Sequence, residues 1–140
     1  LDAELARTER AGVPLAVAYI DLDGLKQVND THGHDAGDHV LCESARRLVE
    51  VVGADVVARL GGDEFAIVYE PDEASSTGLV DRIDAALAQP FAIPTGVSVS
   101  CAASIGYADT TTVTGGAAEL VAAADGAMYR VKRARRAAAS

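Results

Sequence analysis

Six consecutive apolar residues, Leu15-Ala16-Val17-Ala18-Tyr19-Ile20, run from Pro14 to the acidic segment Asp21-Leu22-Asp23. An unbroken apolar run of this length reads as a strand covered on both faces, not as one with a wet side. Such a strand must lie inside a sheet with helices packed against it. The composition suits this layering: hydrophobic residues make up 49% and aromatics only 4%, with no Trp, so the core must be aliphatic and Ala-rich. At 140 residues the chain is long enough for one real core and too short for two.

The remaining elements follow from spacing. Residues 1–11 read as a short helix stopped by Gly12 and Pro14, and residues 24–30 as another, followed by a turn at 31–34. Residues 36–52 carry Val40, Leu41, Ala45, Leu48, Val49 and Val52 at helical spacing, with Gly53 placed to cap them. A hairpin comes next: strand-forming residues 56–58 and 65–69 flank Gly61-Gly62-Asp63-Glu64, so the glycines fall at the turn and the acids where the strand resumes. A helix capped by Asp72 or Ser75 should run through Leu87 with Leu79, Ile83, Ala86 and Leu87 inward. Pro90 and Pro94 mark a loop. Residues 97–106 alternate apolar and small polar side chains, the pattern of a half-covered strand, and residues 117–136 close the chain as a helix. This order predicts a mixed central sheet flanked by helices, an α/β sandwich of the ferredoxin-like kind.

Charge and cysteines narrow the class. A net charge of −9, from 21 acids against 12 bases, argues against general binding to nucleic acid or anionic membranes. The last eleven residues nevertheless hold Arg130, Lys132, Arg133, Arg135 and Arg136 and no acid, so that end can meet an anion. Cys42 and Cys101 have neither zinc-site nor disulfide-framework spacing and read as two buried thiols. No run approaches the roughly 20 apolar residues of a membrane span, and no leader opens the chain, which predicts a cytoplasmic domain. The abrupt beginning and end read as a single domain over 1–140 cut from a longer protein.

The acids are the costly feature. Asp21 and Asp23 close a buried strand on the same side, and Asp63-Glu64 stand at the mouth of another, where charge near a core needs a cation, a metal or a shifted pKa. If the two strands are neighbours, Asp21, Asp63 and Glu64 can converge. Hard oxygen ligands without Cys or an ordered His set suit Mg²⁺ or Mn²⁺, and magnesium held by a few carboxylates is completed by substrate phosphates, which suggests phosphoryl or nucleotidyl transfer. Other readings are weaker. Asp21-Leu22-Asp23-Gly24 is no calcium loop, because its glycine comes early and its twelfth position is His32. His32 and His34 lack a third ligand and read as a hydrogen-bonded turn. Gly61-Gly62 is not followed by the Lys of a Walker loop, though it can let backbone amides approach a phosphate. Lys132 and Arg136 sit one helical turn apart, two cations on one face for a polyphosphate.

These residues resemble the GGDEF family of diguanylate cyclases. The hairpin motif stands complete in Arg59-Leu60-Gly61-Gly62-Asp63-Glu64-Phe65. Asp21-Leu22-Asp23-Gly24-Leu25-Lys26-Gln27-Val28-Asn29-Asp30 is similar to the family's DxDxFKxxND, with Leu25 for Phe, and Gly33-His34-Asp35-Ala36-Gly37-Asp38 matches GHxxGD. Ser104-Ile105-Gly106-Tyr107-Ala108 resembles SxGxA, and residues 124–132 resemble ADxAMYxAK. Five motifs in order cover nearly the whole chain.

The resemblance implies a fold like adenylyl cyclase domains and polymerase palms. It implies condensation of two GTP into the bacterial second messenger cyclic di-GMP, with release of two pyrophosphates, by a homodimer of domains under an upstream sensory domain. Asp21, Asp63, Glu64 and the Leu22 carbonyl would hold two Mg²⁺ or Mn²⁺ per half-site, with Glu64 a ligand or the general base. Asn29 and Asp38 would read guanine beside Leu25; Lys26, Lys132 and Arg136 would hold the β and γ phosphates, and Gly61-Gly62 would admit the α-phosphate. Three departures stand out. The family's inhibitory product site, an RxxD, reads Val52-Gly53-Ala54-Asp55, with Asp55 kept and the Arg replaced. The Gly-Arg-Asn of the tail reads Arg135-Arg136-Ala137, and the opening DxLTGLxNR is missing. The last two motivate an alternative, a GTP-binding regulatory domain without turnover.

Overall fold

The computed structural model describes residues 14–53, 57–70 and 75–139. The expected first helix, the Asp72 cap and Asp55 lie outside the described residues. The elements are β1 (Ala16–Leu22), α1 (Leu25–His32), α2 (His34–Val52), β2 (Val57–Arg59), β3 (Glu64–Tyr69), α3 (Ser75–Ala88), β4 (Phe91–Ala92), β5 (Ser98–Val99), β6 (Ala103–Asp109) and α4 (Ala117–Ala139).

β1 lies inside a four-stranded sheet of order β2-β3-β1-β6, and all seven of its residues are buried. That placement accounts for the apolar run, since each successive side chain of an inner strand enters a different covered face. Ala18, Ile20 and Leu22 join the larger core cluster with residues of α1, α2 and α3; Val17 and Tyr19 join a smaller one with Leu120, Ala124 and Met128 of α4. The sheet is thus a layer with helices on both sides. The ladders β1–β3, β1–β6 and β2–β3 are all antiparallel, so the mixed pairing expected from element order is not found among the described residues. The reason is that β3 and β6, which run the same way, are separated by β1.

Four further expectations are corrected. The helix expected over residues 24–30 continues to His32, and Gly33 alone separates α1 from α2. On α2 the inner stripe is Ala36, Val40, Leu41, Ser44 and Leu48, while Val49 is exposed: it follows Leu48 by one residue and is turned about 100° away. Cys101 is buried as expected, but Cys42 is exposed. The strand expected over residues 97–106 is two strands. β5 pairs with β4 in a separate ribbon, and β6 pairs with β1.

β6 is also covered on both faces. Ser104 is fully buried, and a Cβ on Gly106 would overlap the Met128 amide and the Ala124 carbonyl. The alternation looks half-covered because the side chains facing α4 must be small, not because that face is wet.

Arg47 ties the second layer together. Its guanidinium donates to the carbonyls of Ala86, Gln89 and Pro90 at 2.7–3.0 Å, closing the end of α3, and stacks over the Phe91 ring 4.0 Å from its centroid. Glu43 accepts from its Nε at 3.2 Å.

Candidate active site

The strand end where β1 leaves the sheet gathers the acids. By strand alternation, Asp21 shares the α4 face of the sheet with Val17 and Tyr19. Glu64 pairs directly opposite Asp21, and the Leu22 amide donates to the Asp63 carbonyl at 3.0 Å, so the ladder extends past β3 and holds Asp63-Glu64 beside Asp21-Leu22. The turn is closed from within. The Leu60 amide donates to the Glu64 carbonyl at 2.9 Å, and Arg59 folds back to donate to the carbonyls of Gly61 and Gly62, both at 3.1 Å. This leaves Gly61 and Gly62 exposed at the rim.

α4 supplies the cation. Close packing on Gly106 brings Lys132 over the strand end, where its Nζ lies 2.5 Å from Asp21 Oδ2 and 3.8 Å from Asp23 Oδ1. Burial pushes the Asp21 carboxyl above the usual carboxylate range; the Lys132 hydrogen bond opposes this, while the charges of Asp63 and Asp23 add to it. The Asp21 carboxylate in turn raises the Lys132 ammonium. Asp21 Oδ1 and Asp23 Oδ1 are buried without a hydrogen-bond partner. Among the described residues no three His, Cys, Asp or Glu side chains form a ready cluster for a metal. Carboxylates repel one another until a cation is between them, and Lys132 is the cation that meets Asp21 here. A buried, partnerless carboxylate oxygen on Asp21, flanked by more carboxylates, fits a hard divalent ion.

Three residues of this strand end escaped the reading of the sequence as site residues. Ser104 donates from Oγ to Asp23 Oδ2 at 2.6 Å, and the Cys101 thiol donates to the Asp23 carbonyl at 3.1 Å, so β6 and the loop before it strap Asp23 in place. Tyr19 is the third. Burial first, then the charge of Glu64, push the phenol up to about 12, so it stays protonated at neutral pH. The signal in the sequence was that Tyr19 is the lone hydroxyl in an otherwise aliphatic strand.

The residues implied for nucleotide recognition lie on α1, α2 and α4. A Cβ on Gly37 would overlap the Asn29 carboxamide, so the glycine lets α2 approach α1 at Asn29. Asn29 Oδ1 is buried without a partner, while Asp38 is exposed. Leu25 is buried in the larger core cluster, and Lys26 beside it is exposed. Arg136 is exposed one turn beyond Lys132. A groove of about 540 Å³ opens between α1 and β5, lined by Asp23, Gln27, Thr31, His32, Ser98 and Ser100 among others; Lys26, Asn29 and Lys132 are not among its walls.

The profile of the family described as "Diguanylate cyclase, GGDEF domain" matches residues 1–138. The chain belongs to the GGDEF family. The GGDEF domain described here is 41% identical over 122 residues to the diguanylate cyclase TpbB of Pseudomonas aeruginosa, covering 85% of this chain and 28% of that protein. It is 42% identical to the diguanylate cyclase DgcN of Escherichia coli, with 86% and 30% covered, and 37% identical to the response regulator PleD of Caulobacter vibrioides, with 79% and 26% covered. It therefore spans less than a third of each of these relatives. Among solved structures, the GGDEF domain of TpbB superposes with a TM-score of 0.83 at 37% identity, covering 95% of this chain and 84% of that one. A sensory box/GGDEF family protein of Caulobacter crescentus superposes with a TM-score of 0.82 at 41% identity, covering 94% and 86%. The nucleotidyl cyclase-type fold follows from these neighbours. No helix among the described residues is long and apolar enough to cross a membrane.

Proposed function

We propose that this GGDEF domain is a diguanylate cyclase: it condenses two GTP into cyclic di-GMP and releases two pyrophosphates, as a dimer of domains within a larger cytoplasmic signalling protein. The observation that carries the reading is the Asp21 carboxylate, buried with one oxygen on Lys132 and the other unpartnered, directly across the ladder from Glu64. A purely structural ion pair gains nothing from a buried oxygen left without a partner, whereas a polyphosphate site with a divalent ion uses it. The family relatives named diguanylate cyclase support the same reading.

In the reaction, the 3′-oxygen of one GTP bonds to the α-phosphorus of the other as the bond to pyrophosphate breaks, and the exchange is repeated to close the ring. The hydroxyl proton leaves to a base, for which Glu64 is the candidate. Asp21, Asp63, Glu64 and the Leu22 carbonyl would hold Mg²⁺ or Mn²⁺, two per half-site, which neutralise charge developing on the departing pyrophosphate. Lys132, Lys26 and Arg136 bind the β and γ phosphates. The exposed Gly61-Gly62 turn admits the α-phosphate without a side chain in the way. Asp38 accepts from the guanine ring N–H and amine, and Asn29, whose Oδ1 is buried without a partner, completes the base contact. One domain holds one GTP, so both nucleotides align only when two domains face each other.

The test is incubation with GTP and Mg²⁺ at high protein concentration, with products resolved by mass spectrometry. Cyclic di-GMP and pyrophosphate are expected, and Asp63→Ala should abolish both without changing the melting curve. Tight GTP binding with no cyclic product, even after forced dimerisation, would establish the alternative of a silent GTP-binding regulatory domain.

A further inference from the structure

Asp23 is held more firmly than the end of a strand requires. Its amide donates to the Ala102 carbonyl at 2.7 Å, its carbonyl accepts from the Cys101 thiol at 3.1 Å, and its Oδ2 accepts from Ser104 Oγ at 2.6 Å. Ser104 is itself fully buried, so its hydroxyl has no water to turn to, and the Asp23 carboxylate cannot rotate without leaving that donor unsatisfied.

These straps occupy one oxygen of the carboxylate. The other, Oδ1, is buried without a hydrogen-bond partner and lies 3.8 Å from Lys132 Nζ, about 1 Å beyond the length of a charge-assisted hydrogen bond. Lys132 meanwhile donates to Asp21 Oδ2 at 2.5 Å. One ammonium thus stands between two carboxylates, bonded to the first and within a short swing of the second. The two differ in what else they can hold. A divalent ion at Asp21 takes the lone pairs that Lys132 uses and repels its charge. The Lys132 side chain is only 20% exposed, so an ammonium driven off Asp21 needs another acceptor close by.

We propose that Asp23, held by Ser104, is a positioning residue for Lys132: it receives the ammonium when Asp21 is taken by a divalent ion and keeps it at the strand end. This role rests on Asp21 holding a cation in the cyclase reaction proposed above. An ammonium has three donors, so one spent on Asp23 Oδ1 leaves two for the phosphates of GTP. A Lys132 without Asp23 would swing into solvent and lose the geometry that a polyphosphate needs.

The transfer can be read without metal, because Asp21→Asn also takes the Asp21 charge away from Lys132. Urea unfolding in chelator, in double-mutant cycles of Asp23→Asn with Lys132→Met, should give a coupling of no more than about twofold in the folding constant with Asp21 present and about tenfold on the Asp21→Asn background. Equal coupling on both backgrounds overturns the proposal. Mn²⁺ titration followed by water proton relaxation tests the cation itself. Asp23→Asn, and Ser104→Ala, which keeps the Asp23 charge and removes only its strap, should each weaken Mn²⁺ binding about tenfold, the low end of the roughly 10–100-fold cost of losing a supporting partner. Neither should weaken it on a Lys132→Met background; weakening that persists there means that Asp23 acts on the ion directly and overturns the proposal, as does unchanged affinity in both variants. If the wild type binds no Mn²⁺, the metal reading fails separately and the unfolding cycles decide about Asp23. Should the multiple variants fail to fold, a crystal structure of Asp21→Asn alone decides. Lys132 Nζ about 3 Å from Asp23 Oδ1 is expected, and an ammonium turned to solvent overturns the proposal.

Discussion

Lys132 and Asp21 stand 111 residues apart in the chain and 2.5 Å apart in space, joining the last helix to the central strand through a pair whose side chains are 20% and 7% exposed. Removing one partner of a mostly buried pair strands the other charge. Lys132→Met is therefore expected to destabilise the domain by about 2 kcal/mol, below the roughly 3–5 kcal/mol of a fully buried pair because Lys132 keeps some water contact. Urea unfolding in the presence of chelator measures this loss. Adding Mg²⁺ should recover part of it, since a divalent ion replaces the missing cation at Asp21. A variant as stable as wild type would show that the pair contributes nothing.

Arg47 holds the carbonyls of Ala86, Gln89 and Pro90 with a planar fork that lysine cannot reproduce. Arg47→Lys should cost about 1–3 kcal/mol, the penalty for leaving such groups unsatisfied, and should loosen α3 in hydrogen exchange before the sheet is affected.

Acid should weaken the same region through Glu43. The Arg46 guanidinium, and Arg47 after it, hold the Glu43 carboxyl down to about 2 from an ordinary value of 4.5. A folded-state pKa below the unfolded one means stability that is present above about pH 4.5 and lost as pH falls toward 2. Glu43→Gln should lower the melting temperature at neutral pH and leave it nearly unchanged near pH 2. Parallel melting-versus-pH curves for the two proteins would refute the assignment.

Gly106 lets α4 lie on the sheet, and any Cβ there meets the helix backbone. Gly106→Ala should destabilise by about 1–3 kcal/mol, the usual cost of overpacking, although alanine is otherwise the better strand residue. The displaced helix should also withdraw Lys132 from Asp21, so GTP affinity should fall with stability. Stability lost with affinity retained would separate the two.

Val52 ends α2 half-buried against the larger core cluster, where the family's RxxD site has its Arg. Calorimetric titration with cyclic di-GMP should detect no submicromolar binding, on the order expected where a bidentate Arg anchor is missing. Val52→Arg is the complementary test and should gain affinity.

Much of this was legible in the residues. The run from Leu15 to Ile20 demanded a strand covered on both faces, and β1 is that strand. The Gly61-Gly62-Asp63-Glu64 hairpin forms where turn chemistry placed it. Ser104 and the strand expected over residues 97–106 were misread, because alternation reports side-chain size and polarity, not what covers them. A backbone-close helix over Gly106 buries a serine as completely as a valine.

The sequence by itself determined the layers, the hairpin and the set of acids, since these depend on local spacing and on the cost of charge beside apolar strands. Only the tertiary structure decided that Lys132 meets Asp21, that Arg47 closes α3 and that Glu64 stands opposite Asp21. Each of these contacts depends on where an element packs and on register across a sheet, and neither is written in the spacing of residues along the chain.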